Sequence, residues 1–310
     1  MKFAGRMNSF IHKGSMDIFQ TIALYHHVKG ITHLEFNYPE HVKPYEINRI
    51  LDAIGDMKVN GVATRFRERF IAGEFTNPDQ AVGEDAVTLC REAVDACHRL
   101  HGDVLTVWLG FDGFDYPFQL DYEAKWNRII QSFQSVADYA MERNVKVSIE
   151  YKPYEPRAFS MIDGIGLTLM AIQEINRPNV GVTLDFCHML MKHESPAYSL
   201  ALAASRGKLF GLHMNDGYRA MDNGLMFGSV HLPQALEFVY YLKKYRYDGV
   251  VFFDSFPLRE EAQAEVELNV EMFNQMCEMI DRVGMGAIEQ IVSRQDGIES
   301  QKLILQMLKK

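Results

Sequence analysis

Eight short strand-like runs recur along the chain, most of them dominated by Val, Ile, Leu and Phe. They are KFAGRMN (2–8), ITHLEFN (31–37), GVATRF (61–66), VLTVWLG (104–110), VKVSIEY (145–151), VGVTLDF (180–186), KLFGLHM (208–214) and GVVFFDS (249–255). Continuous apolar runs of this kind predict strands buried on both faces. The segments between them carry apolar residues at helical spacing, most clearly in 85–100 and 123–144. Returns into the next strand carry Gly or Asn at Lys29-Gly30, His101-Gly102, Arg143-Asn144 and Arg206-Gly207, which predicts left-handed helix C-caps. Eight β/α units without a composition break predict an α/β fold. It is a single closed (β/α)8 barrel of the TIM type over residues 1–260, with residues 261–310 as C-terminal helices packing on the barrel or on a neighbouring subunit.

Four consecutive runs, the fifth to the eighth, end in a side chain able to ligate a metal: Glu150, Asp185, His213 and Asp254. A charged or imidazole group closing an apolar strand is costly unless compensated. In such barrels the C-terminal strand ends form the active site, so the four can converge. One divalent cation would compensate all of them. Carboxylates with one imidazole and no thiol suit Mn²⁺, with Mg²⁺, Co²⁺ or Zn²⁺ as alternatives. Glu150 and Asp254 double as the candidate proton carriers of catalysis.

Around this quartet stand candidate substrate contacts. Lys152 lies two residues past Glu150, on the same side of the strand, where a cation could steady developing oxyanion charge. His188 is three residues past Asp185, on the strand-to-helix loop, as a substrate donor or a second-metal ligand. Trp108 closes the fourth run as a wall for a sugar's C–H face. Asp222 lies in the loop after His213, either holding a second ion or turning the chain, and Asn215 and Asp216 are nearer partners for the ligands. Arg65, Arg67 and Arg69, spaced by two, would share one side if the third strand ran that far, and could meet an anionic substrate end.

Composition narrows the classes. A net charge of −9 argues against a nucleic-acid partner. No apolar run approaches the roughly 18 residues of a membrane span. The N-terminus lacks the apolar core of a signal peptide, so a cytoplasmic location is expected. Cys90, Cys97, Cys187 and Cys277 form no CxxC pair, which predicts free thiols in a reducing compartment.

The segments IEYKPYEP (149–156), TLDFCHM (183–189), LHMND with MDNGL (212–225), FFDSFP (252–257) and WLGFDGFDYP (108–117) resemble the xylose isomerase-like superfamily of sugar isomerases and epimerases. The nearest resemblance within it is to L-rhamnose isomerase-like proteins. The resemblance implies that Glu150, Asp185, His213 and Asp254 hold a tightly bound metal. It implies that His188 and Asp222 ligate a second one, and that Lys152 and Trp108 line the sugar pocket. The pattern departs at Gly224, where a second acidic ligand would stand, and at Asp254, where the single-metal ketose 3-epimerases of the superfamily place Glu. The implied activity is aldose–ketose isomerisation of an unphosphorylated sugar. The alternatives are ketose 3-epimerisation on the same site, then a metal-dependent dehydratase or endonuclease, or a non-catalytic sugar-binding protein. Relatives are often homotetramers, which implies a tetramer or dimer here.

Overall fold

The computed structural model describes residues 1–14 and 16–309. Eight parallel strands close into one barrel: β1 (Lys2–Arg6), β2 (Ile31–Tyr38), β3 (Lys58–Thr64), β4 (Val104–Trp108), β5 (Lys146–Glu150), β6 (Val180–Asp185), β7 (Leu209–Met214) and β8 (Val250–Phe253). Each strand pairs with its neighbours in sequence, and β8 returns to β1. The strand-like runs read from the sequence all fall on this barrel.

Helices cover it. In Gln80–Arg99 the residues Cys90, Ala93, Val94 and Cys97 are all fully buried, an i, i+3, i+4, i+7 stripe that seats the helix on the sheet. All four cysteines are free thiols. Left-handed residues end the connections at Gly30, Asn144 and Gly207, as expected. At the remaining pair the positive φ belongs to His101 (58°), not to Gly102. Gly102 is needed for space instead, because a Cβ there would stand 3.0 Å from the Cys97 sulfur.

The helix after β8 spans Ala262–Val283 and buries Phe273 and Ile280 completely, so the eighth β/α unit runs past residue 260. Two more helices, Met285–Arg294 and Gly297–Met307, follow it. Ile288 and Met307 are buried, and Arg282 donates to the Met307 carbonyl at 2.6 Å. Among the described residues, no helix is long and apolar enough to cross a membrane.

One buried carboxylate fixes the mouth of the barrel. Asp112, in the loop after β4, accepts the backbone N–H groups of Glu74 (2.8 Å), Phe75 (2.9 Å) and Thr76 (3.0 Å) and the Thr76 hydroxyl (2.6 Å). It therefore ties the loop after β3 to the loop after β4. Asp112→Ala would leave three buried N–H groups without an acceptor. At about 1–3 kcal/mol for each unsatisfied donor, partly relieved by relaxation, the expected loss is about 3 kcal/mol. Urea unfolding with an unchanged slope reads this directly; a loss under about 1 kcal/mol would mean that water replaces the carboxylate.

Candidate active site

The barrel register sets the quartet. Asp185 at the end of β6 pairs directly with His213 on β7. Glu150 closes β5 opposite Thr183, and the Asp254 N–H, one residue past β8, bonds to the Met214 carbonyl at 3.1 Å. One ligand atom from each of Glu150, Asp185, His213 and Asp254 lies within 4.8 Å of every other. All four residues are under a tenth exposed. The floor below them is tight: the Ser148 and Thr183 hydroxyls bond at 2.6 Å, and Gly211 lies against Thr183 where a Cβ would collide.

Each candidate ligand has a second polar group beside it. His213 Nδ1 lies 3.2 Å from Glu150 Oε1, and its Nε2 lies 3.2 Å from Glu35 Oε1. An imidazole held from behind by a carboxylate is the usual way to fix a ligating histidine. Asp185 caps the following helix by accepting the His188 N–H at 2.9 Å, and its other oxygen accepts from Asn215 Nδ2 at 3.0 Å. Arg6 Nε stands 2.6 Å from Asp254 Oδ1 but out of line for a hydrogen bond, so that buried oxygen keeps its bonding capacity.

The electrostatics are those of crowded anions. Burial pushes the Asp185 carboxyl up to about 7, with Asp222, Glu150 and Asp254 adding to the rise against the pull of His188. Burial would also raise Glu150, but His213 and then His188 outweigh it and hold the carboxyl at about 2. Burial lowers His213 and His188, yet the carboxylates win at both: Glu150 and Glu35 hold His213 well above its usual range, and Asp185 and Asp222 hold His188 at about 9. Three converging carboxylates with one imidazole, and a buried oxygen of Asp254 without a hydrogen-bond partner, fit a hard divalent cation.

The structure brings the other sequence candidates to the same cavity, which measures about 330 Å³. Trp108, Lys152, His188 and Asp222 all line it. The Lys152 ammonium is buried, 5.5 Å from the Trp108 ring, 3.0 Å from Glu155 and 3.2 Å from Asp222. His188 Nε2 is 3.3 Å from the same Asp222 oxygen, while its buried Nδ1, 3.6 Å from Glu150, makes no hydrogen bond among the described residues. Asp216 faces elsewhere, bonded to His231 at 2.8 Å. Gly224 has φ +57° and sits against the Phe256 ring, where a Cβ would collide. No carboxylate can occupy that position in this backbone.

The three arginines do not share a side. β3 stops at Thr64, so the period-two spacing ends before Arg67. Arg69 lies in the short turn Glu68–Phe70 and pairs with Asp85, away from the cavity. Arg65 and Arg67 line the cavity, and Arg67 is exposed and paired with Glu40. Sequence reasoning missed Glu35, Glu155 and Arg6. Arg6 was accessible by the rule that found the quartet, since it too is a charged residue ending a barrel strand. Glu35 and Glu155 had no such signal.

A model of the family described as xylose isomerase-like TIM barrel matches residues 19–276. The xylose isomerase of Thermus thermophilus is 29% identical over 201 residues, 64% of this chain and 52% of that protein. The Thermus caldophilus xylose isomerase is also 29% identical, over 202 residues. The chain thus spans about half the length of the curated relatives it matches. Among solved structures, an L-ribulose 3-epimerase superposes with a TM-score of 0.70 at 18% identity, covering 90% of this chain and 98% of that one. A D-psicose 3-epimerase, solved in the presence of D-fructose, gives 0.72 at 15% identity, over 88% and 97%.

Proposed function

The chain belongs to the xylose isomerase-like TIM-barrel family, and on that premise we propose that it is a divalent-metal-dependent ketose 3-epimerase. The observation that carries the reading is the placement of Glu150, which closes β5, and Asp254, one residue past the non-adjacent β8, as the two of the three converging carboxylates that line the cavity. Inversion at a carbon needs one group to remove a proton from one face and another to return it to the opposite face. Likeness over 90% and 88% of this chain to structures named as 3-epimerases also supports this reading.

Glu150, Asp185, His213 and Asp254 would hold the cation, which would supply Lewis acidity to the sugar when bound. Glu150, kept ionised by His213, takes the proton from C3. Asp254, after taking a proton from solvent, delivers it to the other face, and Glu150 returns its proton to solvent. Lys152 and His188 offer N–H donors to the sugar oxygens on which negative charge develops. Trp108 and the buried walls keep water from quenching the intermediate.

The second reading, aldose–ketose interconversion, draws on one feature: Asp254 is a methylene shorter than Glu and has Arg6 at 2.6 Å. Incubation of metal-loaded protein with a ketose panel in D₂O separates the two. Epimerisation gives C3-inverted ketose with deuterium at C3. Aldose carrying deuterium at C2, without C3 inversion, would establish the second reading in its place.

One metal per chain is the expected stoichiometry. Asp222 already faces the Lys152 ammonium, and Gly224 supplies no carboxylate, so His188 and Asp222 alone make a poor second site. Elemental analysis of reconstituted protein should give a molar ratio near one; a ratio of two would restore the two-metal arrangement.

A further inference from the structure

We propose that the substrate carries an oxyanion, such as a carboxylate, sulfonate or phosphate ester, at the end remote from its carbonyl, and that Arg65 is the residue that binds it. This rests on the metal-dependent sugar reading for the identity of the rest of the substrate.

A second cavity of about 330 Å³ adjoins the metal-side one, and the two share Arg65, Arg67, Trp108, Lys152 and Glu155. A chain held at the quartet by its carbonyl end would extend along this shared wall, where Arg65 stands. Every other cation at this junction is matched: Lys152 by Asp222 and Glu155, Arg67 by Glu40, and Arg6 by Asp254. Arg65, half-buried, has no carboxylate partner among the described residues. Its Nε donates to the neutral Asn37 side chain at 3.0 Å, which leaves the two terminal nitrogens for a ligand. A guanidinium offers paired donors that match the geometry of an oxyanion, and a partly desolvated one without a close ion-pair partner gains most from that match.

The backing is built for a cation. Asn37 is fixed by its own N–H, which donates to His41 Nδ1 at 3.0 Å, while His41 Nε2 bonds to Asn8 at 3.0 Å. Burial, with Arg65, Arg6, His12 and Arg67 nearby, drives the His41 pKa down to about 3, so it stays a neutral acceptor.

The test is calorimetric binding and steady-state kinetics on the metal-loaded enzyme with four probes: a neutral ketohexose, and its uronate, 6-sulfonate and 6-phosphate counterparts. At least one anionic sugar should bind on the order of tenfold or more tighter than the neutral one, with a steeper dependence on salt. Arg65→Gln should abolish that preference by weakening the anionic sugar far more than the neutral one, and Arg65→Lys should restore part of it. The three anionic probes separate the possible groups by rank. Equal affinity for neutral and anionic sugars, or an Arg65→Gln loss that falls equally on both, overturns the proposal. Tight anionic binding lost in Arg65→Gln, with no turnover of any sugar, supports this site and counts instead against the epimerase reading.

Discussion

Glu150→Gln is expected to reduce turnover by roughly three orders of magnitude, a loss in the range for removal of a positioned general base. The substitution keeps volume and one oxygen, so the barrel should fold. It takes away both a ligand of the quartet and the group assigned to C3 proton removal. Glu150 suits that task because His213, 3.2 Å away and itself backed by Glu35, holds the carboxylate ionised despite its burial. The measurement is kcat on the metal-saturated variant, with circular dichroism to show the fold and calorimetry to show metal affinity. A variant retaining more than about a tenth of wild-type kcat, with metal bound, would remove Glu150 from the chemistry, since general-base loss should be far larger.

Chelation should abolish activity and lower the melting temperature, with both restored by Mn²⁺. A ligand at about 100–1,000 times its dissociation constant stabilises the folded state by roughly 3–4 kcal/mol. At a few degrees per kcal/mol for a chain of this size, that is on the order of 10 °C. The shift should also grow with pH. Asp185 has its folded pKa raised to about 7, so the metal-free fold loses stability as pH climbs from its unfolded value toward 7. His188, raised to about 9, contributes stability that is complete below its ordinary value near 6.5 and is lost as pH rises through 9. Glu150, held at about 2, changes only below this window. The three raised groups, Asp185, His188 and His213, therefore act in one direction as pH rises. A bound cation takes over the role of those protons, so the metal-induced shift should be larger at pH 8 than at pH 6. Thermal scans with and without Mn²⁺ at both pH values check this, and a shift that shrinks with pH would contradict the assigned ligand set.

The quartet was legible for a simple reason. A (β/α)8 barrel places the residue ending each strand at the mouth, so a linear rule (apolar run, then a ligating side chain) becomes a spatial one. Glu150, Asp185, His213 and Asp254 obey it and converge within 4.8 Å. Lys152, His188, Trp108 and Asp222 were reachable because they sit within a few residues of a strand end or in the adjoining loop. Glu35 was not, because a carboxylate within β2 carries no local sign that its partner is His213 on β7. The arginine pattern shows the opposite failure. Period-two spacing from Arg65 to Arg69 holds only while the strand lasts, and β3 ends at Thr64.

What the sequence by itself determined, then, was the eight-unit barrel and the chemistry of its strand ends, because both follow from periodicity and from the cost of burying charge. The tertiary structure alone decided which charges are already satisfied. It set the Lys152 ammonium against Asp222, closed Gly224 under Phe256, anchored the β3 and β4 loops on Asp112, and left Arg65 without a close ion-pair partner among the described residues. Those are properties of distances between residues far apart in the chain, and no local pattern encodes them.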